Sequence, residues 1–206
     1  DLIGSIGMFP QGDMDNTVGI YMNAFQRFGQ NFDKAIIRDM SKLGYHLNEI
    51  SAEPLKDIGI GGMSGAALLG LVTVERDLGA LRNPQLTMSQ GMFRALALLI
   101  HVNLAIFSQE KRLLLIDDIG EGLDYERATE IISLIISAAE KVHIQVLMTS
   151  NDRFVMNHVP LDHWVVLERT GRIVKAFTPK TSPKEFDDFK FIGLSNFDFF
   201  KDTRFH

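Results

Sequence analysis

Leu113 to Asp124 reads LLLIDDIGEGLD, and no other stretch limits the chain so tightly. The apolar run Leu113 to Ile116 predicts a strand buried on both faces, with Asp117 and Asp118 at its carboxyl end. Ionised carboxylates beside a buried strand are costly unless a cation or a hydrogen-bonding partner meets them. In open parallel sheets, ligands sit at the carboxyl ends of the strands. The economical reading of the stretch is a magnesium-nucleotide site.

The 206 residues suffice for a substantial core, and 46% hydrophobic with 23% charged residues is ordinary for a globular protein. A net charge of -5 argues against a broad nucleic-acid-binding face, though not against a local basic patch. With no cysteine, disulfides and thiolate metal sites are excluded. No apolar run reaches the roughly 18 residues that span a bilayer. The segment DLIGSIGMFPQGD has no basic region ahead of an apolar one, so it does not read as a secretory signal, and a cytoplasmic location is the expectation. The chain starts at Asp1 rather than at a methionine, so a piece of something longer is also expected.

Apolar residues at spacings of three and four (Val18, Met22, Phe25, Phe28, Phe32, Ile36) predict helix over 16–39, divided near Gly29. Gly44 reads as a helix stop, His46 to Ile50 as a short strand, and Gly59 to Gly70 as a glycine-punctuated linker. Leu71 to Arg76 alternates like a strand with one wetted face. Beyond Pro84 the pattern is α/β: a long apolar helix over 89–107, a strand over 112–117, an amphipathic helix over 125–141 and a strand over 143–149. The buried stripe of that second helix reads Ala128, Ile131, Ile132, Ile135, Ile136 and Ala139. This alternation requires a right-handed parallel crossover. A short helical turn near 152–158 and a hairpin around Thr170-Gly171 follow. The tail carries Phe186, Phe189, Phe191, Phe197, Phe199, Phe200 and Phe205, which are expected to pack on the body.

Three segments carry candidate chemistry. Magnesium takes hard oxygen ligands and keeps several waters, so one carboxylate suffices, and Asp117 is the expected metal-binding residue. Asp118 follows it, and if the chain turns there its carboxylate can orient or deprotonate an attacking water. A plain cap on the following turn is the alternative. Second, Ser89 stands at the N-cap of the long helix, and Gly91 would let a ligand approach the backbone, giving an anion site at the helix N-terminus. A capped core helix is the plainer alternative. Third, Thr149-Ser150-Asn151-Asp152 ends the adjacent strand on the same sheet edge, or simply caps the short helix behind it. No Gly-Lys-Ser/Thr occurs, so the glycines at 59–65 form no phosphate loop. The histidines have no metal-ligand spacing, and no serine-histidine-acid pattern supports acyl transfer.

In this order and spacing the segments resemble the C-terminal lobe of ATP-binding-cassette-type ATPases, a P-loop NTPase fold. The branch most similar holds the soluble structural-maintenance-of-chromosomes (SMC), DNA-repair and phage-defence ATPases. Met88-Ser89-Gln90-Gly91-Met92 resembles the signature motif, Leu114-Leu115-Ile116-Asp117-Asp118 the Walker B strand and Glu121-Gly122-Leu123-Asp124 the D-loop. Asn151 falls where the family's switch histidine stands. The likeness covers about residues 85–175. It implies an α/β fold, a mainly parallel sheet flanked by helices, with the Walker A lobe absent. The expected layout is a partial helical and linker region over 1–84 and the cassette-like lobe over 85–206.

The resemblance further implies ATP and magnesium as cofactors and a homodimer joined head to tail through the nucleotides. Ser89, Gln90 and Gly91 would meet the γ-phosphate held by the opposite subunit. Asp117 would serve magnesium, Asp118 would polarise water, Asn151 would contact the γ-phosphate and Asp124 would communicate across the dimer. DNA, or a nuclease or effector protein, is a partner expected by family association only. Three positions depart from the pattern. Asp118 replaces a glutamate, Asn151 cannot carry a proton as histidine does, and Gln90 stands where glycine is common. These departures favour slow turnover, or the rival reading of a nucleotide-dependent clamp or a non-enzymatic interaction module. Without the phosphate loop, the chain is expected to hydrolyse ATP only alongside the absent lobe. A phosphorylation receiver domain would need a phospho-accepting aspartate ending a later strand. Asp162 precedes its strand, so that reading fails.

Overall fold

The computed structural model of the chain describes residues 16–54, 69–77, 79, 81–142, 144–190, 195, 196 and 198. Most of the glycine-punctuated stretch, residues 59–68, lies outside them, as do the side chains of Phe189 and every later phenylalanine. The chain forms two compact units, one of residues 1–115 and 121–147, the other of 116–120 and 148–206. Residues on both sides of position 84 share the first unit.

In the first unit, helix α1 (Thr17–Phe28) opens at Asn16, whose side chain accepts from the Gly19 amide. Gly29 follows at φ +60°, a conformation open to glycine, and divides α1 from α2 (Gln30–Lys42) as the sequence predicts. Tyr21, Phe25, Phe28 and Phe32 from these helices cluster with Phe107, with ring centroids 5.4–6.3 Å apart. Strands β1 (Leu47–Pro54), β2 (Leu69–Glu75) and β3 (Arg82–Pro84) form an antiparallel sheet in the order β1-β2-β3. In β2, the middle strand, Gly70 through Thr73 are all buried, and the wetted face expected for Leu71 to Arg76 is absent over that run.

Helix α3 (Gln90–Ser108) is the apolar helix of the sequence, and its 19 residues have the length and hydropathy of a membrane span. Its burial marks it as a core helix, since Met92, Ala95, Leu96, Leu99 and Ile100 are enclosed and it packs on α1 and α2. Midway along it the Asn103 side chain, 1% exposed, donates to the buried Asp39 of α2 at 3.1 Å. Helix α4 (Tyr125–Lys141) packs against α3 and buries Ala128, Ile131, Ile132, Ile135 and Ala138. Ala138 thus takes the place expected for Ala139, and Ile136 is only half-buried.

Strands β4 (Arg112–Ile116) and β5 (Ile144–Met148), on either side of α4, pair with each other. Just past their ends the Thr149 amide donates to the Ile116 carbonyl, and the Ile119 amide donates to the Thr149 carbonyl, each at 2.9 Å. One residue thus bonds forward and backward to its neighbour strand, the parallel pattern the crossover requires. The expected double-sided burial of β4 is not met. Leu114 and Ile116 are enclosed, but Leu113 is 48% and Leu115 68% exposed, with Leu147 of β5 at 57%. The pair is therefore covered on one face only.

In the second unit, α5 (Arg153–His158) is followed by a single 3-10 turn at Leu161–His163 and the hairpin β6 (Val166–Thr170) and β7 (Ile173–Phe177). Thr170 pairs with Ile173, so the turn residues are Gly171 and Arg172, one position later than the sequence suggests. Gly171 takes φ +63° there. Helix α6 (Pro183–Lys190) inserts Phe186, fully enclosed, against Leu161, Val166, Trp164 and Phe177.

Candidate functional site

The acidic turn follows the last residue of β4. Asp117 is exposed and Asp118 half-buried, so the pair is not enclosed beside a strand buried on both faces. What organises the turn is the end of the neighbouring strand. The Thr149 hydroxyl donates to Asp117 Oδ1 at 2.5 Å and accepts from the Asp118 amide at 2.9 Å. Asp118 has φ +44°, a left-handed backbone that residues with a Cβ seldom adopt and that aspartate tolerates better than most. The chain therefore turns at Asp118, and strand alternation no longer dictates where its carboxylate points. A Cβ at Gly120 would meet Val155 Cγ2 at 3.3 Å and Asp152 Cβ at 3.9 Å, so the turn packs closely on the start of α5.

Asn151 lies in the chain between Thr149 and Asp152, both of which touch this turn. It is exposed, and among the described residues its side chain makes no hydrogen bond. The helix cap belongs instead to Asp152, whose carboxylate accepts from the Phe154 and Val155 amides at 2.8 and 3.0 Å. The capping alternative for this segment thus holds for Asp152 and leaves Asn151 unassigned to any structural task.

The signature-like segment lies in the first unit. Ser89 is the N-cap of α3, and its Oγ accepts from the Met92 amide at 3.2 Å. Capping uses the oxygen as an acceptor, so the hydroxyl hydrogen still points elsewhere. Gln90 is exposed in the first turn. Gly91 is buried, and what approaches its backbone closely is the chain itself: an added Cβ would lie 2.1 Å from the Gly122 carbonyl oxygen. The glycine is needed for that contact, where the sequence suggested room for a ligand.

Gly122 sits in the D-loop-like stretch at φ +74°, and Glu121 beside it pairs with Arg94 of α3 at 3.1 Å. The first turns of α3 and the loop at 121–123 are thereby clasped together. Asp124 ends the loop as the N-cap of α4, accepting from the Arg127 amide at 3.0 Å and pairing with the Arg127 guanidinium. These bonds, the backbone one foremost, hold its carboxyl below the usual range. Arg127 also donates to the Leu43 carbonyl at 3.0 Å and stacks over Tyr45, fixing α4 to the end of α2.

The donor set suits magnesium only as a nucleotide-bound ion. Among the described residues no three histidines, aspartates or glutamates gather closely enough to hold a metal by themselves. One oriented carboxylate at a strand end is the kind of protein ligand that magnesium uses when phosphates supply the rest. Sequence reading missed Thr149 as the organiser of the turn; its place at the end of the adjacent strand was the available signal.

No protein-family model and no curated protein matches the sequence. Solved structures do. A structure described for ATP-driven dimerisation and DNA-stimulated activation of SMC ATPases aligns over 82% of this chain and 96% of its own, at 16% identity and a TM-score of 0.50. An Smc head bound to the C-winged helix domain of ScpA aligns over 89% of this chain and 55% of its own, at 18% identity and TM-score 0.55. The Pyrococcus furiosus Smc head, with an extended coiled coil and the C-terminal domain of ScpA, aligns over 82% and 40%, at 18% and 0.51. The chain thus spans nearly all of the first and about half or less of the other two. The similarity suggested by Ser89, Asp117 and Asp124 therefore extends to the backbone: this chain has an α/β fold similar to that of SMC-type ATPase heads.

Proposed function

We propose that this chain is the signature-bearing part of a cassette-type ATPase that hydrolyses ATP in a head-to-tail dimer, once a half carrying the phosphate loop joins it. The observation that carries the proposal is the acidic turn, where a neighbouring strand's hydroxyl fixes Asp117 at the carboxyl end of a parallel pair. Asp117 would hold magnesium, which when bound neutralises charge on the phosphate oxygens. Asp118 would orient the attacking water, and Asn151 would donate to the γ-phosphate from the adjoining strand end. Ser89, Gln90 and Gly91 would offer the N-terminus of α3 to the nucleotide of the other subunit. Asp124, with the clasped loop ahead of it, would relay that contact.

The uncovered face of β4 and β5 supports the need for a second half. Parallel strands are ordinarily covered on both faces, and Leu113, Leu115 and Leu147 are left open. DNA repair or phage defence as the process served, and DNA or an effector protein as the partner, remain part of this proposal by analogy of fold. A second reading is a nucleotide-dependent clamp with little hydrolysis. It is favoured by Asp118, one methylene shorter than the family's glutamate, and by Asn151 in place of histidine.

The test is magnesium-dependent ATP hydrolysis by the chain combined with its phosphate-loop half. Asp118→Asn suits the left-handed backbone equally well and is expected to lower turnover about 100-fold or more while sparing nucleotide binding. Unchanged turnover would remove Asp118 from the mechanism, and failure of the wild type to bind ATP would refute the ATPase reading. Glu121, the next acid in the chain, is engaged by Arg94.

A further inference from the structure

We infer that Thr149 is the positioning residue of the magnesium site, acting through Asp117 and Asp118; the inference rests on the ATPase reading above. A hydroxyl has one hydrogen. The Thr149 oxygen already accepts the Asp118 amide at 2.9 Å, so its hydrogen is directed to Asp117 Oδ1 at 2.5 Å, the short separation of a charge-assisted bond to a carboxylate. The Thr149 backbone adds two further ties, its amide to Ile116 and its carbonyl to Ile119. One residue thereby grips four consecutive positions, 116 to 119, across the strand end.

Two consequences follow for the chemistry. The carboxylate of Asp117 is held in one orientation, ready for a hard cation. The peptide of Asp118 is held in its left-handed turn, which sets where the following side chain reaches. Serine could supply the same two hydroxyl bonds; valine has the shape of threonine and supplies neither. The β-branched valine also suits a strand end, so its fold should persist.

The first measurement is amide hydrogen exchange on the full chain. Thr149→Val is expected to speed exchange of the Asp118 amide about tenfold or more. The Ile119 amide, bonded to the Thr149 backbone, should stay protected. The second is the magnesium concentration that half-saturates binding of a fluorescent ATP analogue to the chain with its phosphate-loop half. Thr149→Val should raise it about 10–100-fold, the usual effect of losing a hydrogen-bonding partner behind a metal ligand. Thr149→Ser should restore it, and magnesium-free nucleotide binding should not change. In an Asp117→Asn background the valine substitution should have no further effect on magnesium dependence, whereas a merely structural role would still add its own. An unaltered Asp118 amide or an unaltered magnesium requirement in Thr149→Val overturns the inference alone. A wild type that binds no nucleotide overturns the ATPase reading and this inference with it.

Discussion

Substituting Gly91 by alanine tests the clasp between α3 and the D-loop-like stretch. In an open helix, replacing glycine by alanine gains about 1 kcal/mol. Here the new methyl would sit 2.1 Å from the Gly122 carbonyl oxygen, 3.1 Å from its carbon and 3.3 Å from Leu123 Cδ2. The first two atoms are backbone and cannot rotate away. Gly91 is held from its side by the Ser89 cap, and Gly122 by its own turn at φ +74°. The gap must open by roughly 1 Å, and overpacking of that kind costs about 1–3 kcal/mol beyond the lost propensity gain. A net destabilisation of about 2 kcal/mol is expected, or a Tm lower by about 4–8 °C for a chain of this size. Thermal unfolding followed by far-ultraviolet circular dichroism reads it directly. Gly120→Ala is the control, since its nearest contact is the Val155 methyl at 3.3 Å, and a change under about 1 kcal/mol is expected there. If Gly91→Ala proves as stable as the wild type or more so, the clasp does not exist and the glycine is free for another purpose.

Asn103→Leu removes a hydrogen bond to the buried carboxylate of Asp39, 4% exposed, and should cost about 1.5–3 kcal/mol. An unshifted urea midpoint would show that Arg38 and Lys42 satisfy Asp39 without it. A pH dependence should trace to Asp33, whose carboxyl is pushed up to about 6 by burial first, with Glu49 adding to it and the Tyr21 hydroxyl opposing. A carboxyl raised in the folded state stabilises the fold when protonated, so its contribution is full below pH 3.8 and is lost as pH rises through about 6. Asp33→Asn should abolish this loss in a series of denaturation midpoints across that window; an identical profile in the variant would refute the assignment.

Much of the helical framework was written in the chain, because local periodicity and end residues suffice for it. Gly29 divides α1 from α2, Ser89 starts α3 and Asp124 starts α4, each by chemistry within a few residues. The order of long helix, acidic turn and second strand likewise pointed to the fold that the solved structures share. Burial was less legible, since a run such as Leu113 to Ile116 looks alike whether one face is covered or two. The wetted face expected on β2 failed for the same reason, because alternation along one strand does not show which faces the rest of the fold covers.

Identity and spacing in the sequence thus determined where the candidate acids, caps and helices fall. Only tertiary structure decided how they are held. Thr149 reaches Asp117 across 32 positions of sequence, and Arg94 reaches Glu121 across 27. The Gly122 carbonyl closes on Gly91 from a separate loop. Hydrogen bonds and van der Waals contacts act over a few ångströms in space, so no local pattern of residues foretells which distant partner will meet them.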